Sequence, residues 1–325
     1  MLDRDPVPDP DAVLDPDADP DPDPVPDRDR VLDPDAEAYL RVLAAAPAVP
    51  QTVEGMRAAY AEAAPGLSGP GEPVAEVRDE RLGGVPVRRY RPEGAQGTTV
   101  WVHGGGWVVG SVETHDALCR ALAVRSGSTV VSVDYDLAPE ARHPVQVGQV
   151  LAVLAAVPEG EPVALAGDSA GAHLATLAAR RAARPVAGLA LVYPVVSPRL
   201  DTPSAEENAT GRGLTTQGMR WYWEQYLGDG NGDVHGSGTA DLLEADLHGL
   251  PPALVLTAGH DPLRDEGLAL AGALEAAGRE VRRVAYDGQV HGFFRMTAVI
   301  GQAREAQQQV ADFLAEALAG PPRPA

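Results

Sequence analysis

Residues 163–173 read VALAGDSAGAH. The stretch opens as an apolar run of strand length, passes through a serine held between two glycines, and continues as a helix-compatible string. Two readings are open: a nucleophilic serine on a strained strand-to-helix turn, or a small residue in a tight one. GDSAG (167–171) fits the pattern G-x-S-x-G, whose glycines avoid the clashes a Cβ would make where the turn lifts the serine above the sheet. A pattern this short arises by chance in a glycine-rich chain, so the elements around it carry the decision.

Those elements alternate in period. VAEVRDERL (74–82), VPVRRYR (85–91), TTVWV (98–102), TVVSVDY (129–135), PVALAG (162–167), VAGLALVYPVV (186–196), PALVLTAGHDPL (252–263) and EVRRVAY (280–286) contain strand-like runs. Between and after them, 115–126, 144–156, 170–183, 265–277 and 298–318 read as helices. Repeated βα alternation predicts an α/β fold with a mostly parallel eight-stranded sheet and helices on both faces. Two amphipathic helices near 36–64 precede the alternation, and a polar, glycine-rich insertion at 198–248 interrupts it. Residues 1–35 are a low-complexity Asp-Pro and Val-Pro run; proline removes backbone donors and like charges repel, so a disordered acidic tail is expected. An EF-hand reading of its aspartates fails, because prolines occupy the intervening places and the loop's glycine and glutamate are missing.

Composition narrows the chemistry. A formal net charge of -21 disfavours nucleic acid and anionic membrane as partners. The 325 residues contain no lysine, which excludes Schiff-base and Walker-type chemistry. The one cysteine, Cys119, excludes an internal disulfide and a CxxC pair, and its helical apolar spacing suggests a buried structural thiol. Apolar runs such as LAVLAAV (151–157) are too short for a membrane span, and MLDRD lacks a signal pattern, so a cytoplasmic protein is expected.

TTVWVHGGGW (98–107) sets three glycines directly after a strand. A dinucleotide loop starting at Gly104 would need glycine where Val109 stands, and no GKS or GKT follows. An oxyanion hole is the better account, with backbone N–H groups of the glycine loop joined by that of Ala170, the residue after the serine. A serine hydroxyl also needs a base, and the base a carboxylate. Asp261 follows the strand PALVLTAGH, and His291 lies in DGQVHGFF after the next strand, in the order serine, acid, histidine. Asp287 is an alternative acid, whereas Asp265 and Glu266 suit the first turn of the following helix. His103 is better placed to shape the glycine loop, and His115, His143, His235, His248 and His260 lie outside the expected base position.

HGGGW (103–107), DYDLAPE (134–140), GDSAG (167–171), HDPLRDEG (260–267) and HGF (291–293), in that order, resemble the hormone-sensitive-lipase-like, bacterial family IV carboxylesterases of the α/β-hydrolase fold. The resemblance runs from about 74 to 318. It implies Ser169 as nucleophile, Asp261 as acid, His291 as base, and the amides of Gly104, Gly105 and Ala170 as the oxyanion hole. It also implies a helical cap, dividing the chain into a tail (1–35), N-terminal cap helices (36–72), a hydrolase core (73–197 and 249–319) and a cap insertion (198–248). Trp107, Asp168, His173, Trp221 and Tyr222 are candidate pocket residues; the aromatics of WYWEQY (221–226) also suit a cap core. The chain departs from the family pattern at Asp136, where arginine is usual, at Gly148 and Gln149, where an acidic pair is usual, and at Ala172 and His173 after the serine turn.

The expected activity is hydrolysis of small carboxylic esters through an acyl-enzyme, with no metal or organic cofactor and with a homodimer compatible with the sequence. Acyl transfer or cyclisation by the same triad is the alternative, and a non-catalytic ligand-binding protein the more distant one.

Overall fold

The computed structural model describes residues 30–47, 49, 52–228 and 240–320. The expected tail lies outside them as far as residue 29, as do residues 229–239 of the insertion, His235 among them.

The sheet has eight strands: β1 (Glu76–Leu82), β2 (Val85–Arg91), β3 (Thr98–Val102), β4 (Thr129–Val133), β5 (Val163–Asp168), β6 (Leu189–Val192), β7 (Ala253–His260) and β8 (Val281–Val290). Their spatial order is β1-β2-β4-β3-β5-β6-β7-β8. Strands β1, β2 and β4 pair antiparallel, and every pair from β4 to β8 is parallel. This is the mostly parallel eight-stranded sheet the alternation predicted, with the α/β-hydrolase arrangement the resemblance implied. The edges are β1 and β8, and the EVRDERL sequence of β1 is charged enough to discourage pairing with another chain.

Helices α1 (Pro34–Ala45) and α2 (Val53–Ser68) precede the sheet, and α3 (Asp116–Ser126), α4 (Val145–Ala156) and α5 (Ala170–Ala179) connect its first half. Then come α6 (Pro203–Glu207), α7 (Thr216–Leu227), α8 (Arg264–Ala276) and α9 (Gln302–Ala319). Strand β5 shows why the sheet is covered twice. All its residues are buried; Val163 and Leu165 pack with α4, α5 and α8, while Ala164 and Ala166 pack with α3 and α9. Helix α5 ends at Ala179, four residues before the sequence pattern stops. No helix of the described residues is long and apolar enough to cross a membrane. Cys119 is buried on α3, and that burial pushes its thiol well above the ordinary range.

Parallel strands point their carboxyl ends to one edge, where open α/β sheets place their sites. The loops after β3, β5, β7 and β8 meet there, so His103, Ser169, Asp261 and His291 converge although up to 188 positions separate them in sequence.

Candidate active site

Ser169 is the joint between β5 and α5, and its backbone holds φ 54° and ψ −121°, a conformation few side-chain-bearing residues adopt. Its neighbours explain the two glycines. A Cβ on Gly167 would sit 2.5 Å from the Val102 carbonyl oxygen, and one on Gly171 would sit 2.0 Å from the same atom. The elbow is pressed against β3, and only glycine permits that approach. The Ser169 N–H donates to Val192 O at 2.8 Å, which fixes the turn to β6.

His291 Nε2 lies 3.0 Å from Ser169 Oγ, and His291 Nδ1 lies 2.7 Å from Asp261 Oδ2. The other Asp261 oxygen accepts the Leu263 N–H at 2.9 Å, and the carboxylate is wholly buried. The structure thus brings together the three residues the chain order singled out. Asp287, the alternative acid, is an exposed residue of β8. Asp265 accepts the Ser204 N–H at 2.8 Å and pairs with Arg264 at 2.7 Å. Glu266 is no solvated helix-end charge. It is buried beneath the site, where its Oε2 accepts the N–H groups of Val196 (2.6 Å) and Ser197 (2.9 Å) and its Oε1 has no partner among the described residues. Burial raises its carboxyl to about 8, against the two amides that favour the charged form.

The glycine loop corrects one expectation. The Gly104 N–H donates to Asp168 Oδ1 at 2.9 Å, so it is occupied and cannot serve an oxyanion. The amides of Gly105, Gly106 and Ala170 have no acceptor among the described residues, which moves the donor set one glycine along. Gly105 and Gly106 have φ of 123° and 57°, so the loop needs glycine at both positions. Buried polar contacts hold it. Tyr135 O–H donates to His103 O at 2.8 Å, and His103 Nδ1 lies 2.8 Å from Gly104 O. Burial and the neighbouring His115 lower the His103 imidazolium to about 3, so the neutral ring donates from Nδ1. His115 Nε2 lies 3.4 Å from Asp168 Oδ1, at the outer reach of a hydrogen bond. Burial works to raise the Asp168 carboxyl, but His115, Gly104 and His103 hold it below its ordinary value.

A cavity of about 450 Å³ opens onto Ser169 and His291. Its walls come from α1 and α2 (Tyr39, Leu43, Met56, Tyr60), from α7 (Met219, Tyr222), and from the loop after His291. Tyr222 and Asp168 line it as expected. The Tyr222 ring crosses Gly106 so closely that a Cβ there would meet it at 2.3 Å. Three other candidates belong elsewhere. Trp107 is wholly buried and stacks on Tyr226 at 4.3 Å, because the loop turns its ring away from the cavity and into the packing under α7. His173 is wholly buried too. It packs edge-on against Trp107 and Trp223, and its Nε2 lies 2.7 Å from Ala240 O. Burial lowers its imidazolium to about 3, so it is a neutral strut between α5 and the insertion. Trp221 packs against the cluster of Val108, Val109 and Ala138 and does not line the cavity. No group of three or more metal-ligating side chains occurs among the described residues.

A family model described as alpha/beta hydrolase fold matches residues 99–295. The carboxylesterase NlhH of Mycobacterium tuberculosis is 38% identical over 265 residues, covering 74% of this chain and 83% of that protein. The carboxylic ester hydrolase LipN of the same organism is 38% identical over 233 residues, which span 66% of this chain and 62% of LipN. Among solved structures, the hyperthermophilic esterase from the archaeon Pyrobaculum calidifontis superposes with a TM-score of 0.81 at 35% identity, covering 88% of this chain and 98% of that one.

Proposed function

The chain belongs to the alpha/beta hydrolase fold family, alongside the hormone-sensitive-lipase-like esterases, and from that premise we propose that it is a serine carboxylesterase acting through Ser169, His291 and Asp261. The observation that carries the reading is the continuous relay from Ser169 Oγ through His291 to buried Asp261, at 3.0 Å and 2.7 Å, on a strained elbow beside free amides. Asp261 accepts from His291 Nδ1–H and so fixes the tautomer that presents the Nε2 lone pair to the serine hydroxyl. As Ser169 Oγ attacks the ester carbonyl, its proton passes to Nε2, and the oxyanion accepts from the amides of Gly105, Gly106 and Ala170. Collapse expels the alcohol with that proton. Water then repeats the sequence on the acyl-serine and releases the acid. All the required groups are side chains or backbone amides of this chain.

The cavity suggests the substrate class. Its volume falls toward the small end of small-molecule sites, about 300–1,000 Å³, and its walls are mainly apolar, which fits short- to medium-chain or otherwise compact esters. The ethyl acetate hydrolase of Pseudomonas putida, 34% identical over 257 residues, agrees with that range. Helices α1, α2 and α7 act as the cap, closing over the serine from the side opposite the sheet. No observation favours acyl transfer or cyclisation over hydrolysis.

Hydrolysis of p-nitrophenyl esters from acetate to decanoate tests this reading, with Ser169→Ala measured beside the wild type. The expected result is a maximum at short to medium acyl length and a loss of about 10⁴-fold or more in the variant, with an unchanged melting temperature. Equal rates for the two proteins would remove Ser169 from the mechanism.

A further inference from the structure

Four residues after His291, in the 3-10 turn Phe293–Arg295, the chain places a cation inside the candidate active site. Arg295 is 7% exposed and lines the same cavity as Ser169 and His291. An arginine stays charged at any pH a protein survives, and buried charges are ordinarily paired. Arg295 is not. No carboxylate of the described residues forms an ion pair with it, none of its N–H groups has an acceptor, and its Nη1 is sealed from solvent. Its one contact of note is the face of Tyr60, with Cζ 4.4 Å from the ring centroid. A cation–π contact offsets part of the desolvation of a guanidinium and satisfies none of its five donors.

The surroundings point to what is missing. The hydroxyls of Tyr39 and Tyr60 are donors with no partner among the described residues, and both residues line this cavity. The one carboxylate lining this cavity among the described residues, Asp168, acts on Arg295 through space without an ion pair, and it is already engaged by the Gly104 N–H and by His115. One wall therefore gathers a cation and two hydroxyl donors that no acceptor of the described residues meets, beside a reacting serine and opposite apolar surface.

We propose that the cavity takes esters that carry a carboxylate, on the acid or on the alcohol part, and that Arg295 with Tyr39 and Tyr60 binds that carboxylate while Ser169 faces the ester bond. This deepens the esterase reading and rests on it. Arg295 is then a specificity-determining residue. A planar guanidinium offers a carboxylate two parallel N–H bonds, and the two phenols complete the oxygen's remaining acceptor positions. The apolar part of the ester lies along Met56, Leu214 and Met219.

Matched esters that differ only in charge test the proposal. One pair is p-nitrophenyl hydrogen adipate and methyl p-nitrophenyl adipate, with the charge on the acid part. The other is 4-(butyryloxy)benzoate and its methyl ester, with the charge on the alcohol part. For the wild type, kcat/KM should favour the anionic member of at least one pair by about tenfold or more, carried by KM, and the pair that responds locates the carboxylate. In Arg295→Met, which keeps an apolar stem against Tyr60, that ratio should fall toward one. In Tyr60→Phe, which keeps the ring, it should fall part of the way. Wild-type ratios at or below one in both pairs would overturn the proposal without any variant, so a failure of Arg295→Met to fold leaves it testable. A ratio unchanged in a folded Arg295→Met would overturn it as well, and would make Arg295 structural. Failure of the esterase reading looks different: none of the four esters would be hydrolysed faster than by Ser169→Ala.

Discussion

Glu266 shows how a single buried side chain sets a pH dependence. Its carboxyl titrates near 8 in the folded protein, against an ordinary value of 4.5, because burial disfavours the charge more than two amides favour it. The folded state therefore holds a proton that the unfolded state releases between about pH 4.5 and 8. Stability must fall as pH rises through that window, at roughly 1.4 kcal/mol per pH unit where the difference is complete, and level off above it. Glu266→Gln keeps an oxygen for the Val196 and Ser197 amides and removes the titration. Urea denaturation from pH 5 to 9 should show the wild type losing stability relative to the variant with rising pH. Parallel curves would mean that Glu266 is ionised throughout. At this same scale the sequence was legible for Ser169, Asp261 and His291, because glycines bracket the serine and the acid and histidine come after later strands in triad order; that β8 runs on to Val290, right up to His291, was not legible in EVRRVAY. It was not legible for the glycine loop. Three identical residues give no sign of which amide is committed, and only the position of Asp168 decides that Gly104 is the one. Arg295 was invisible for another reason: within FFRM it looks like one polar residue in a core segment, and its lack of a counter-ion is a property of space.

Between elements, the departures from the family pattern resolve into contacts. Asp136 N–H donates to Gln149 Oε1 at 2.9 Å, and Gln149 Nε2 donates to Asp136 Oδ2 at 2.8 Å. The segment after β4 and helix α4 are joined by a reciprocal amide–carboxylate pair where the family has arginine and an acid. The two positions touch, so they changed within one contact. Asp136→Arg alone should cost little, since the backbone donor remains. Gln149→Asp alone sets two carboxylates face to face and should cost about 0.5–1 kcal/mol, and the double variant should recover that amount by forming an ion pair. Additive effects in urea denaturation would remove the coupling. The N-terminal helices are fixed in a similar way. From α2, Arg57 donates to Val108 O and Ala138 O at 2.8 and 2.9 Å and reaches both oxygens of Glu140. That link sets Tyr60 on the cavity wall, as the Gly301 N–H bonded to Asp35 Oδ2 of α1 helps to set Tyr39, and the sequence hid both: amphipathic periodicity locates a helix but not the distant surface it covers. His173 and Trp107 mislead in the opposite sense. They adjoin the motifs in sequence, yet they pack behind the site: the glycine turn sends the Trp107 ring inward, and His173, one turn into α5, faces Ala240 of the insertion.

The whole molecule imposes a field that opposes its own proposed substrate. Of its net charge of -21, residues 1–29 supply nine negative charges, from eleven aspartates and two arginines. At about 10 mM salt the screening length is roughly 30 Å, so an anionic ester is repelled well before it reaches the cavity; at about 0.15 M it shrinks to roughly 8 Å and the repulsion fades. Arg295 acts at contact from a buried position, where salt screens it much less. The two effects separate in a salt titration. Between these ionic strengths, kcat/KM for an anionic ester should rise by about two- to tenfold, while that of its neutral methyl ester stays level. A value for the anionic ester that falls with salt would instead mean that attraction by the site extends beyond contact, and that the acidic surface does not govern its approach.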